Sequence, residues 1–438
     1  MLVSWLTDRL RPVVALLAVA ALTGPSLDAA AQQADPPAKR PAPQKPPAKP
    51  RATTAPKPAA TPPAAAKVEA LPPSQIGIGT LAKQAFMVDP QTSTVLLFKD
   101  ADRPMHPSSM AKMMTIYILF EELAAGRVKL DTRFRVSERA RNMGGSRMFV
   151  ELGSEVAVED LIKGMIVLSG NDACVVVAEG LAGNEDSFAE RMTKRGRELG
   201  MTGTVFKNAS GWPAEGQMTT AKDLALLAWH EINDFPKFYH YYSITNWTHS
   251  NIKQDNRNLL LRQTPGVDGL KTGHTEEGGF GQTVSAVRDG RRLILVVNGL
   301  AMGKRQEEGG RERARETSPL LEWGFRDFAN TTLFKPGDTV VEAPVWLGTQ
   351  DKVPLVSPRP IQMTLPTGQS ASPRVVANFD GPLPAPITKG TKLGSASVTL
   401  PDGRTIEYPL EAGADVPRQG FAGRMVSLAR HYLLGWLS

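Results

Sequence analysis

Strand-like segments stand at both ends of a long helical stretch, and this arrangement constrains the fold more than any other feature of the chain. Residues 84–88 and 94–98 are apolar runs on either side of the turn Asp89-Pro90-Gln91, the pattern of a β-hairpin. Residues 281–287 and 292–299 flank Asp289-Gly290, a dipeptide that accepts positive φ and closes a second hairpin. Between them, helical periodicity runs over 158–168, 172–182, 185–199 and 220–230. An earlier helix begins at Ser108 or Ser109 and ends at Gly126, with Met113, Ile116, Leu119 and Phe120 as its apolar stripe. One more helix is expected at 311–328. Strands from both chain ends must share a sheet, so residues 76–330 are expected to form an α/β (α+β) domain.

The pattern then changes. Short strands are expected at 339–346, 360–365, 374–379, 395–400 and 405–410, with turns at Pro336-Gly337-Asp338 and Pro401-Asp402-Gly403. Residues 331–415 therefore form a small all-β domain in this reading. A C-terminal helix follows at 416–438, and from Pro417 onward it has no acidic residue. Phe421, Met425, Leu428, Tyr432 and Trp436 share one helical face, with Arg424, Ser427 and His431 opposite. Such a helix is too short and too charged to span a bilayer, but it suits the lipid headgroup layer. The bland alternative is an amphipathic helix packed on the β domain.

The N-terminus reads as a secretory signal over residues 1–31: Arg9 and Arg11, an apolar core at 13–22, then Ala29-Ala30-Ala31. Residues 32–75 rotate Pro, Ala and Lys without an aromatic, and are expected to be a disordered spacer. Seven Lys or Arg residues there face only Asp35 and Glu69, which accounts for five of the net charge of +7. The rest of the chain is nearly balanced, so no nucleic-acid groove is inferred. A single cysteine, Cys174, excludes a disulfide framework and lies in an apolar run, as a buried inert thiol would. Six scattered histidines make no metal-ligand cluster, so neither a metal nor an organic cofactor is expected.

Three short motifs carry chemistry. In Ser109-Met110-Ala111-Lys112, the three-residue offset at a helix start puts hydroxyl and amine on one face, one turn apart. A serine is a poor nucleophile without a base in reach, and a lysine is a base only when burial or a neighbouring cation lowers its pKa. Lys271, in Lys271-Thr272-Gly273, would be that cation. Ser108 is the rival nucleophile, but its offset suits a cap better. Between these two motifs in the chain, and between two expected helices, stands the second, Ser169-Gly170-Asn171. Alone, each has an ordinary reading: a surface helix pair, a capping turn, a chance triplet.

Together, and in this order, they form the S-x-x-K, S-x-N and K-T-G set. With the flanks His106-Pro107-Ser108, Asp172-Ala173-Cys174 and Val267-Asp268-Gly269-Leu270, the chain resembles the low-molecular-weight serine-type D-alanyl-D-alanine carboxypeptidases from about Gly79 onward. The resemblance implies a serine β-lactamase/transpeptidase-like catalytic fold. It further implies that Ser109 is the nucleophile, Lys112 its base and Ser169 the proton relay to the leaving amine. Asn171 would bond the substrate amide and orient Lys112. Lys271 and Thr272 would present a cation and a hydroxyl to the substrate carboxylate, and Gly273 would let the acyl group approach the strand. The His274 N–H would join that of Ser109 as an oxyanion hole, with the imidazole a minor neighbour. The family's carboxylate-binding arginine is matched to Arg305, with Lys304 open as an alternative.

The function expected from the resemblance is removal of the terminal D-alanine from peptidoglycan pentapeptide stems, with β-lactams as inhibitors. The enzyme would sit in the periplasm, peripherally attached to the cytoplasmic membrane. No Glu-x-x-Leu-Asn pattern of class A β-lactamases lies between the second and third motifs. The rivals are a D,D-endopeptidase or β-lactamase with the same site, and a non-catalytic wall-binding protein.

Overall fold

A computed structural model describes residues 78–368, 374–399 and 405–425. The signal, the spacer and all but the first residues of the C-terminal helix lie outside the described residues. Both expected hairpins are present. Strands β1 (Gln84–Asp89) and β2 (Thr94–Lys99) form the first. Two small ribbons follow in the chain, β3 (Arg133–Arg135) with β4 (Glu155–Ala157) and β5 (Asn246–His249) with β6 (Ile252–Asp255). The main sheet is completed by β7 (Val267–Thr275), β8 (Gly279–Arg288) and β9 (Arg291–Leu300), in the antiparallel order β2-β1-β9-β8-β7. The β8–β9 turn has φ of 49° at Asp289 and 77° at Gly290, the paired positive values that match the twist of a tight hairpin.

Two cores sandwich this sheet. Along β9, Ile294 and Val296 join the helical core, while Leu293, Leu295 and Val297 join the opposite one. The period of two assigns alternate residues to opposite faces, and both faces are covered.

On one face pack α1 (Lys112–Ala124), α2 (Glu138–Arg141), α3 (Val158–Ile166), α4 (Asn171–Ala182), α5 (Glu185–Glu198) and α6 (Ala221–Asp234). Helix α1 is buried on all sides from Lys112 to Phe120 rather than along the expected stripe. That burial carries Lys112 into the interior. A single 3-10 turn, Ser108–Ala111, precedes α1 and carries Ser109. A short α7 (Leu260–Gln263) leads into β7.

Helix α8 (Gln306–Arg326) covers the other face and begins earlier than the expected 311–328. Gly309-Gly310 concealed its first turn, because glycine weakens a helical signal. The glycine serves packing: a Cβ on Gly309 would lie 2.2 Å from the Phe280 ring.

The second domain is all-β, as expected, with two sheets. One pairs β10 (Phe328–Phe334) with β13 (Ile361–Pro366). The other holds β11 (Thr339–Trp346), β12 (Lys352–Val356), β14 (Arg374–Phe379), β15 (Leu383–Pro384), β16 (Lys392–Thr399) and β17 (Thr405–Ala412), in the order β14-β16-β17-β12-β11-β15. The sequence reading missed β12, whose Pro354 masks a strand pattern, and absorbed the start of β10 into the preceding helix. Arg291 ties the two domains: it pairs with buried Asp89 at 2.8 Å and donates to Phe328 O at 2.6 Å. Residues 421–425 are helical, with Phe421 and Met425 exposed.

Candidate active site

Lys112 heads α1 and has no exposed surface. Its Nζ donates to Ser109 Oγ at 2.9 Å, Asn171 Oδ1 at 2.7 Å and Ser210 O at 2.6 Å. Burial lowers its pKa to about 8, and the charge of Arg257 pushes the same way. Lys271, on β7, is also buried and donates to Ser169 Oγ at 3.1 Å and Thr272 O at 3.0 Å. Burial lowers its pKa well below the usual lysine range, and the charge of Lys112 adds to this.

Ser169 sits at φ 58° in the turn between α3 and α4, a left-handed conformation that turns its hydroxyl toward Lys271. Asn171 opens α4. Its Oδ1 takes the Lys112 bond, while its Nδ2 donates to Gly144 O at 2.8 Å. The structure therefore gathers the motif side chains into two hydrogen-bonded groups, Lys112 with Ser109 and Asn171, and Lys271 with Ser169, drawn from three chain segments far apart in sequence. Thr272 is buried on the same strand, and its hydroxyl has no hydrogen-bond partner among the described residues.

Gly273 has a further reason to be glycine beyond the expected one. A Cβ there would lie 3.0 Å from Ser108 Cβ and 3.2 Å from Pro107 O, so a side chain would push the nucleophile's turn off β7 by a few tenths of an ångström. Ser108 is not a cap: it lies at φ 48°, and its Oγ bonds Thr275 Oγ1 at 3.1 Å, pinning that turn to β7. The His274 ring stacks on Phe280 at 3.9 Å, and burial lowers its pKa, helped by the charge of Arg313. Cys174 is buried, donates to Gly170 O at 3.2 Å and has its pKa pushed up to about 12 by burial, which leaves the thiol inert.

A family model described as D-alanyl-D-alanine carboxypeptidase matches residues 71–301, and one described as penicillin-binding protein 5, C-terminal domain, matches 328–418. The chain belongs to the D-alanyl-D-alanine carboxypeptidase family. These are serine peptidases. D-alanyl-D-alanine carboxypeptidase DacC of Escherichia coli is 36% identical over 370 residues, covering 82% of this chain and 90% of the relative. The crystal structure of penicillin binding protein 5 from Haemophilus influenzae is 34% identical and covers 78% of this chain and 99% of its own, with a TM-score of 0.69. Penicillin-Binding Protein D2 from Listeria monocytogenes, solved in its cefotaxime-bound form, is 28% identical. It covers 57% of this chain and 100% of its own, with a TM-score of 0.52.

The structure places both residues matched to the carboxylate-binding arginine at the surface. Arg305 is exposed at the N-cap of α8, and Lys304 is paired with Glu308 at 2.8 Å on the surface. The arginines whose charges act on Lys271 are Arg257 and Arg313. Arg313 lies on the buried face of α8, donates through Nη2 to Arg257 O at 2.8 Å, and has an Nε with no partner among the described residues. Burial lowers its pKa to about 10. In the sequence, nothing local distinguishes Arg313 from the Arg311 and Arg315 beside it.

Among the described residues, no group of His, Cys, Asp and Glu could hold a metal ion.

Proposed function

We propose that this chain is an exported serine-type D-alanyl-D-alanine carboxypeptidase that trims the terminal D-alanine from peptidoglycan pentapeptides. The observation that carries the reading is the three-way bonding of buried Lys112 to Ser109, Asn171 and Ser210. With a pKa near 8, a fraction of Lys112 is neutral at physiological pH and accepts the Ser109 proton instead of donating.

Ser109 Oγ then attacks the carbonyl carbon of the penultimate D-alanine. The backbone N–H groups of Ser109 and His274 stabilise the oxyanion. The C–N bond breaks, and the leaving amine takes the proton that Lys112 received from Ser109, passed on through Ser169 beside Lys271, which leaves Lys112 neutral again. Water adds to the ester, Lys112 takes its proton, and the tetrapeptide leaves with Ser109 restored. Arg313, Arg257, Lys271 and Thr272 hold the terminal carboxylate. A β-lactam would acylate Ser109 as a substrate mimic, a reading supported by the cefotaxime-bound relative.

In the same proposal, residues 1–31 direct export and 32–75 are a tether. Residues 76–330 form the catalytic domain and 331–415 the β domain. Residues 416–438 lie on the outer face of the cytoplasmic membrane. The exposed Phe421 and Met425 suit that last role, and no described helix is long and apolar enough to cross a bilayer.

The test is mass spectrometry of a pentapeptide incubated with the protein beside a Ser109→Ala control. Loss of one alanine, absent in the control, supports the reading. An intact peptide, with cross-linked dimers cleaved instead, would make the enzyme an endopeptidase. Rapid turnover of penicillin would make it a β-lactamase. Deletion of 417–438 with unchanged membrane recovery would remove the anchor.

A further inference from the structure

Two buried carboxylates outside the three motifs flank Lys112, and the mechanism above uses neither. Asp172, the second residue of α4, has no ion pair among the described residues. Its oxygens accept from backbone N–H groups: Met148 at 3.0 and 3.1 Å, Phe149 at 2.9 Å, Val150 at 3.3 Å and Ala173 at 2.9 Å. These bonds sew residues 148–150 to the start of α4. The same loop holds Asn171, whose Nδ2 donates to Gly144 O and whose N–H donates to Ser146 O at 2.7 Å. Phe149 stands in it at φ 65° with an exposed side chain, a conformation a bulky residue keeps only where its surroundings impose it.

Glu185, the first residue of α5, does the same for a second loop. Its Oε1 accepts from Ala209 N at 3.1 Å, and its Oε2 is held by Arg139 of α2 through Nε at 3.1 Å and Nη2 at 2.5 Å. Ala209 adjoins Ser210, whose carbonyl receives the 2.6 Å bond from Lys112. The two loops touch: the Trp212 ring covers Gly145, where a Cβ would lie 2.9 Å from it.

We propose that Asp172 and Glu185 are positioning residues for Lys112. Asp172 acts through residues 144–150 and Asn171, and Glu185 acts through Ala209 and Ser210. The inference rests on the reading of Lys112 as the base. The carboxylates set its geometry and also its charge environment. Burial, with Arg257, drives the lysine toward neutrality, while the charges of Asp172 and Glu185 oppose it. Lys271 faces the same cluster from β7 through Ser169.

The experiment compares full-chain Asp172→Asn and Glu185→Gln with wild type, by kcat and KM on a pentapeptide across pH and by amide hydrogen exchange. We expect kcat to fall roughly tenfold to a hundredfold with KM nearly unchanged, as misplacement of a catalytic group does. The acid limb of the kcat/KM profile should move to lower pH, because a negative charge beside Lys112 is lost. Exchange should quicken at 148–150 in the first variant and at Ala209 in the second. A folded variant with wild-type kcat and acid limb overturns the proposal, whatever its exchange.

Should either variant fail to fold, Arg139→Ala removes a largely exposed side chain instead. It should lower kcat and move the acid limb the other way, and unchanged kinetics would overturn the assignment of Glu185. Lys112→Gln separates the two readings. If that variant is active, the base assignment itself falls; if it is inactive while the carboxylate variants are normal, only the positioning inference falls.

Discussion

Lys271 Nζ lies 3.1 Å from Ser169 Oγ, so the third motif meets the second across the cleft just as Lys112 joins the first motif to the second. Two buried lysines thus address two serines, each through its own hydrogen bond. Each lysine has a lowered pKa with burial as the chief cause, and Lys271 is pushed further by the charge of Lys112.

The acylation rate should follow the neutral fraction of Lys112. Below a pKa of about 8 that fraction falls about tenfold per pH unit, so kcat/KM should rise steeply toward pH 8 and flatten above it. The folded protein binds fewer protons than the unfolded chain between about 8 and 10.5, so this group adds stability as pH rises through that window. Stopped-flow acylation by a chromogenic β-lactam, with thermal unfolding across the same pH range, checks both. An acylation rate independent of pH from 6 to about 9 would remove Lys112 as the base.

Arg313→Ala should raise KM by about tenfold to a hundredfold, the loss of a charge-assisted bond to the substrate carboxylate, with a smaller effect on kcat. A peptide ending in D-Ala-D-alaninamide lacks that carboxylate and should not distinguish variant from wild type. The comparison of the two substrates is the measurement. Arg305→Ala should leave KM unchanged.

Gly211 has φ 79°, and a Cβ there would lie 1.7 Å from Ser108 O. Gly211→Ala must displace the nucleophile's turn, so it should cost more than about 2 kcal/mol by thermal unfolding and slow acylation together. Gly216→Ala, also at positive φ but with only the Lys207 side chain 3.4 Å away, should cost about 1 kcal/mol and leave acylation intact.

Arg291→Ala leaves the fully buried Asp89 without its cation and unties Phe328 O at the domain junction. Stability should drop by about 3 kcal/mol, as when one partner of a buried pair is removed. Calorimetry should show the loss, and the acylation rate at low temperature should stay near wild type.

The legible parts were those set by short-range periodicity. The two hairpins, the helices between them and the Ser109–Lys112 offset follow from patterns within a few residues, and the structure contains all of them. Where local chemistry contradicted the eventual element, the reading failed. Gly309-Gly310 hides the first turn of α8, Pro354 hides β12, and β10 runs from Phe328 to Phe334 where no strand is expected. Arg305 is the match by nearness in sequence to the preceding strand, which does not measure nearness in space.

Residue order alone therefore determined the class of fold, the family and the chemical repertoire, because helix and strand periods and turn preferences act over a few positions. Tertiary packing alone decided which cations act on Lys271, how closely Gly273 lets β7 approach the turn of Ser109, and which carboxylates anchor the loops around Lys112. Those contacts join segments far apart in the chain. Their energies come from burial and hydrogen-bond geometry that exist only once the sheet and helices have closed on one another.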